Sequence, residues 1–109
     1  MAASQTLTQL ESARTLALGD GLYYATIIPG VLPIIGASAN AALEIRRWGA
    51  EFLAEAFASP TWSLEAKETC CLSVLPTLKE YLELVDDRGV IKCAVQAAAS
   101  IYPLVYRHM

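Results

Sequence analysis

Histidine is almost missing from this 109-residue chain: the single one, His108, stands beside the last residue, so a zinc site would have to borrow its ligands from elsewhere. Cysteine is sparse, and Cys70, Cys71 and Cys93 form no C-x-x-C pair. An odd count in an apolar chain points to reduced, buried thiols in a cytosolic or nuclear setting rather than to a disulfide framework. A basic excess is lacking too. Eight Lys and Arg against eleven Asp and Glu give a net charge of -3 and a pI near 5.0. No positive field is available for a phosphate backbone, so direct nucleic-acid binding is not expected. There is no basic leader before an apolar run at the N-terminus, so no secretory signal is expected. A glycine-rich phosphate loop, H-E-x-x-H and a nucleophile elbow are all absent. The chain therefore reads as non-enzymatic, with no catalytic, cofactor or metal residues assigned.

What is present is apolar and helical. Hydrophobic residues make up 55 % of the chain, enough for one buried core. They recur at helical spacing, with no strand-like alternation. A first helix is predicted over 6–18, with Gly19-Asp20-Gly21 as its stop and the cap of the next. A second, over 22–35, contains Pro29 and Pro33 and is predicted to break near Ile28 and restart before Leu32. A third should run over 39–58 and end at Ser59-Pro60. Its inner face would hold Ile45, Trp48, Phe52, Leu53 and Ala56, with Glu44, Arg47, Glu51 and Glu55 in water. Gly49, unfavourable inside a helix, suggests close approach of a neighbour.

The fourth helix, over 64–85, is predicted to start from a Ser63 cap and kink at Pro76. Its apolar face would carry Leu64, Cys71, Val74, Leu75, Leu78, Tyr81, Leu82 and Val85. The fifth opens at Asp86-Asp87 and has a thin polar stripe, Lys92, Gln96 and Ser100. Val90, Ala94, Ile101 and Val105 lack an obvious cover, so further repeats or self-association are expected to supply one. Residues 21–43 hold no charge and could cross a bilayer, which makes a small membrane-associated helical protein the alternative reading. Gly30, Gly36, Pro29, Pro33, Ser38 and Asn40 within that stretch favour two buried pieces instead.

Leu32-Pro33 recurs as Leu75-Pro76, and Ile45-Arg46 as Ile91-Lys92, at the period of HEAT and armadillo helix pairs. The expected architecture is an all-α, HEAT/armadillo-like α-solenoid of about five helices: a lead-in helix (1–19), a first repeat (20–58) and a second (63–109). LPTLKEYLELVDDRGVIKCAVQAAASI looks like a HEAT unit. Together with RRWGAEFLAEAF and AASIYPLVYRH it makes residues 20–108 resemble the N-terminal region of symplekin, the pre-tRNA-processing scaffold family of fungi. That resemblance implies a nuclear scaffold of mRNA 3′-end cleavage and polyadenylation. It also implies protein partners in that complex, among them a phosphatase acting on the RNA polymerase II C-terminal domain.

Four residues are candidates for partner contacts. Arg46 and Arg47 could fork onto a phosphorylated peptide or, as HEAT ladders commonly do, pair with the acidic turn of the next repeat, Arg46 with Asp86 or Asp87. Lys92 lies on the polar stripe of the last helix. Trp62, in a loop, could anchor a partner or fold back as a lid. The carboxylate pairs Glu51/Glu55 and Glu80/Glu83 read as solvated helix faces.

Overall fold

The computed structural model describes residues 3–35, 43–84 and 87–106. They form five α-helices: α1 (Ala3–Gly19), α2 (Leu22–Ile35), α3 (Leu43–Ala58), α4 (Leu64–Leu84) and α5 (Arg88–Tyr106). No strand occurs among the described residues. The expected turn around Gly36, Ser38 and Asn40, the predicted start of the third helix at residue 39, and Val85, Asp86 and His108 lie outside them.

Asp20 joins the first two helices. Its backbone N–H donates to Leu16 O (3.1 Å), closing α1, while its Oδ1 accepts from Leu22 N (3.0 Å), opening α2. Ser63 caps α4, its Oγ accepting from Ala66 N (3.2 Å), and Asp87 caps α5, its Oδ1 accepting from Val90 N (3.1 Å). These short polar side chains satisfy amide donors that a helix start leaves without partners.

The predicted break in the second helix is not found; α2 runs through Pro29 and Pro33. The two prolines stand four apart, and the carbonyls they leave without a donor, on Ala25 and Pro29, lie on the same exposed row. Water can serve those oxygens, so the opposite row stays helical. Tyr24, Ile28, Val31 and Ile35 fill that row, all buried. Pro76 in α4 and Pro103 in α5 are likewise exposed, four residues after exposed Leu72 and Ala99.

α3 is the central helix and buries Ile45, Trp48, Phe52, Leu53, Ala56 and Phe57. Its most extensive packing is against α5, which also packs on α4; α2 packs on both α3 and α4, and α1 on α2 and α3. The contacts thus link α1, α3 and α5 in one series and α2 and α4 in another. The molecule measures 38 × 31 × 19 Å, its least dimension close to two helix diameters.

Two glycines make these approaches possible. A Cβ on Gly49 would stand 2.6 Å from the Tyr81 hydroxyl and 2.7 Å from Ile35 Cβ, where Tyr81 donates a buried hydrogen bond to Ile35 O (2.6 Å). A Cβ on Gly21 would run into the backbone of Thr61 and Trp62. The close approach anticipated at Gly49 is therefore present, and it ties α2, α3 and α4 at one point.

Other expectations need correction. Leu64 and Leu82 are exposed rather than inward. The inner stripe of α4 is the narrow set Cys71, Val74, Leu78 and Tyr81, with Thr77 beside it, and residue 82 lies a 100° step away from Tyr81. In α5, Val90, Ala94 and Ile101 are fully buried, because that row is the one pressed against its neighbours; Val95 and Tyr102 face outward instead. No helix among the described residues is long and apolar enough to cross a membrane. Within the span considered for residues 21–43, α2 has 14 residues and reaches about 21 Å against a hydrocarbon core of about 30 Å, while residues 36–42 lie outside the described residues.

Candidate interaction surface

The charged side chains of the α1–α3–α5 series make a connected polar face. At one end Arg47, on α3, reaches across to the residue that caps α5: its Nη2 lies 2.6 Å and its Nε 3.2 Å from Asp87 Oδ2. Asp87 accepts at the same time from Val90 N, so one carboxylate closes the helix start and receives the guanidinium. The hydrogen bond from Arg47, followed by that from Val90, holds the Asp87 carboxyl below its ordinary range. The sequence placed a contact to this acidic turn on Arg46, with Asp86 or Asp87; at Asp87 the arginine is Arg47, which was expected in water, and Asp86 lies outside the described residues. Arg46 points one helical step away and is half-buried, with its charge felt at the Tyr81 hydroxyl.

At the other end the polar link is to α1. Arg14 donates through Nε to Glu55 Oε2 (2.9 Å), and through Nη1 to Glu11 Oε1 (3.3 Å). Glu11 Oε1 also accepts from the Trp48 indole N–H at 2.6 Å. Trp48 is in the core as expected, 6 % exposed and stacked on Phe52 at 4.8 Å with a 12° interplanar angle. The hydrogen bond to Glu55 chiefly raises the Arg14 pKa, partly opposed by burial. Glu55 was expected in water; it is instead half-buried as the acceptor that fastens α1 to α3. Sequence reasoning missed Glu11 and Arg14 altogether. Their spacing of three on α1 signals a local pair, but nothing in it indicates which later helix they face.

Between the two links runs a groove of about 550 Å³. Ala54, Ala58 and Cys93 give it a low floor, Glu51 and Glu55 line it from α3, and Gln96 and Ser100 from α5. Small side chains at the seam leave the space, while the longer polar ones border it. Lys92 is exposed on α5 beside the groove, near enough to Cys93, as Glu51 is, to act on its thiol electrostatically. Burial is the larger influence and raises the Cys93 pKa, as it does for Cys70 and Cys71. The three thiols are free.

Trp62 does not belong to this face. Its side chain is 2 % exposed, wedged between Phe57 (5.1 Å between ring centroids) and Tyr24 (5.3 Å). The fold-back alternative is the observed one, and the indole as placed offers no anchor to a partner. Tyr24 is buried with it while adjacent Tyr23 stays exposed. Among the described residues no group of three or more His, Cys, Asp and Glu is placed to hold a metal ion.

A second feature is the outer edge of α4 and α5. Leu72, Leu82, Val95 and Tyr102 are between 44 and 68 % exposed there, and a groove of about 670 Å³ floored by Leu75, Leu78 and Ala98 lies between the helices. Lys79 and Glu83 stand at its rim.

No protein-family model matches the chain, and no solved structure matches it. One similarity to a curated protein does emerge. Over 102 residues, 94 % of this chain, it is 30 % identical to the mRNA cleavage and polyadenylation specificity factor complex subunit pta1 of Schizosaccharomyces pombe. The chain spans 15 % of the length of that relative. Pta1 is a symplekin homologue, so this weak similarity is consistent with the symplekin resemblance.

Proposed function

We propose that the chain is a non-enzymatic protein–protein interaction scaffold of the symplekin family, serving mRNA 3′-end cleavage and polyadenylation in the nucleus. Its architecture on this reading is a HEAT-type stack. α1 is the lead-in helix, α2 with α3 the first pair, and α4 with α5 the second, each helix resting on its counterpart in the next pair.

The single observation that carries the reading is the similarity to pta1 over 94 % of the chain. The packing of α2 on α4 and of α3 on α5 supports the stack, as does the Arg47–Asp87 pair joining a helix of the first pair to the turn of the second. The mechanism is geometric. Fixed helices hold Arg47, Glu51, Lys92 and Gln96 in a constant pattern along the α1–α3–α5 face, and a partner with the complementary pattern docks without ordering the scaffold first. The partners on this reading are proteins of the cleavage and polyadenylation complex, among them a polymerase C-terminal-domain phosphatase. The apolar α4–α5 edge is the place where a further helix pair, or a second copy of the chain, would stack.

Affinity purification with quantitative mass spectrometry tests this. The tagged chain should enrich subunits of the cleavage and polyadenylation machinery from cell extract. A variant carrying Glu51→Arg and Lys92→Glu, both exposed and outside the core, should lose them. If the wild-type chain enriches no such subunit, the assignment is wrong; if the variant retains them all, the surface is.

A further inference from the structure

Five prolines occur in the chain and one alone follows a serine or threonine, in Ser59-Pro60. Pro29, Pro33, Pro76 and Pro103 lie inside helices, whereas Pro60 is exposed in the connection between α3 and α4. A residue before proline is biased to the extended region, the backbone form in which a kinase cleft takes its substrate. Ser59 is half-buried: its Oγ lies 3.0 Å from Thr61 Oγ1, accepts a long bond from Thr61 N (3.3 Å), and lowers the pKa of the buried Tyr24 hydroxyl against the larger rise from burial.

The second observation concerns a cation. Lys67, on the first turns of α4, donates its ammonium to the carbonyl oxygen of Ser59 at 2.8 Å. Among the described residues it pairs with no carboxylate, since the ion pairs fall on Arg14, Arg47 and Lys79. A half-buried ammonium thus rests on a neutral oxygen of the residue that precedes Pro60. We infer that Ser59 is a phosphorylation site for a proline-directed kinase, and that Lys67 captures the phosphate.

In the transfer, Ser59 Oγ forms a bond to the γ-phosphorus of ATP as the bond to the β,γ-bridging oxygen breaks. ADP leaves, and the hydroxyl proton passes to the kinase base. The product carries a charge of about −1.5 to −2 beside Lys67 and the N-terminal end of α4. Glu65, in the first turn, opposes it; Lys67 is the residue positioned to outweigh that repulsion by a charge-assisted bond. Ser63, Glu65 and Ala66 also line a groove of about 480 Å³ with Ala25 and Pro29 of α2, whose one charged lining residue is Glu65. Phosphorylation would add negative charge to the α3–α4 connection, at the N-terminal end of α4 that carries Glu65. The inference does not depend on the identity of the partners.

The test uses the full chain, a cyclin-dependent kinase with its cyclin, ATP and magnesium, read by peptide mapping and thermal melting. Phosphate should appear on Ser59 of the folded wild type and be lost in Ser59→Ala and Pro60→Ala. The phosphorylated wild type should melt several degrees higher than the unmodified chain, and phosphorylated Lys67→Gln should show no rise. Incorporation into the heat-denatured chain but not the folded one would overturn the site. Incorporation with an unchanged or lowered melting temperature would overturn capture by Lys67.

Discussion

Replacing Gly49 by alanine sets two effects of opposite sign against each other. Helix propensity favours alanine over glycine in a helix interior by up to ~1 kcal/mol. Packing opposes it, since the added methyl would stand 2.6 Å from the Tyr81 hydroxyl, 2.7 Å from Ile35 Cβ and 2.9 Å from Ile35 Cδ1. Tyr81 and Ile35 are both fully buried, and the Ile35 Cβ, next to its backbone, cannot give way without moving α2. Overpacking a filled core costs ~1 to 3 kcal/mol. If the tyrosine moves away, the buried Ile35 carbonyl loses its 2.6 Å hydrogen bond, at a further ~1 to 3 kcal/mol. Set against the propensity gain, the net is a destabilisation of about 1 to 5 kcal/mol, a large part of the ~5 to 15 that holds a domain together. Urea unfolding followed by circular dichroism measures it as a lowered midpoint at unchanged slope. The Tyr81→Phe variant alone should also destabilise, by ~1 to 3 kcal/mol. The double variant should lose less than the sum, because the hydroxyl that obstructs the methyl has gone. Equal or higher stability of Gly49→Ala would refute the close packing of α2, α3 and α4.

The lowered pKa of Asp87 implies that its contacts stabilise the fold above the ordinary carboxylate range. That contribution is lost as pH falls from about 4 through the lower folded value, so Arg47→Ala should flatten the acid limb of stability against pH. Carboxyl carbon NMR should show Asp87 titrating below the ordinary value, and a normal titration would contradict the pair. Trp62→Ala should cost ~3 to 5 kcal/mol as the loss of a buried aromatic; a near-neutral melt would instead mark it as a surface residue. Cys70, Cys71 and Cys93, each held toward the thiol form by burial, should react with Ellman's reagent at neutral pH more slowly than free cysteine, and all three should become fast in denaturant. Fast reaction in the native state would contradict their placement.

Much of the helical layout was legible because it is written locally. Asp20, Ser63 and Asp87 mark starts by the type of side chain that can serve free amide donors, and the inner face of α3 follows from 3.6-residue spacing alone. The uninterrupted α2 was misjudged because a proline's effect depends on which row loses its donor. Only the tertiary arrangement turns Ala25 and Pro29 to water. The partner of Asp87 was displaced by one residue for a similar reason: Arg46 and Arg47 are 100° apart on α3, and the sequence does not say how far the helix is rotated about its axis. Rotation also decided the outward rows of α4 and α5, where Leu82, Val95 and Tyr102 are as apolar as the residues buried behind them. The Glu11–Arg14–Glu55 link joins residues about forty positions apart, and such a contact leaves no mark in local spacing.

The central claim is that fixed helices present one polar face to partners in 3′-end processing. It is tested most directly by hydrogen exchange on the chain alone and with a purified cleavage and polyadenylation complex. The account predicts slowed exchange on binding in the segments of α3 and α5 that carry Arg47, Glu51, Lys92 and Gln96, with α2 unchanged. Identical exchange with and without the complex, or protection confined to α2, would contradict it.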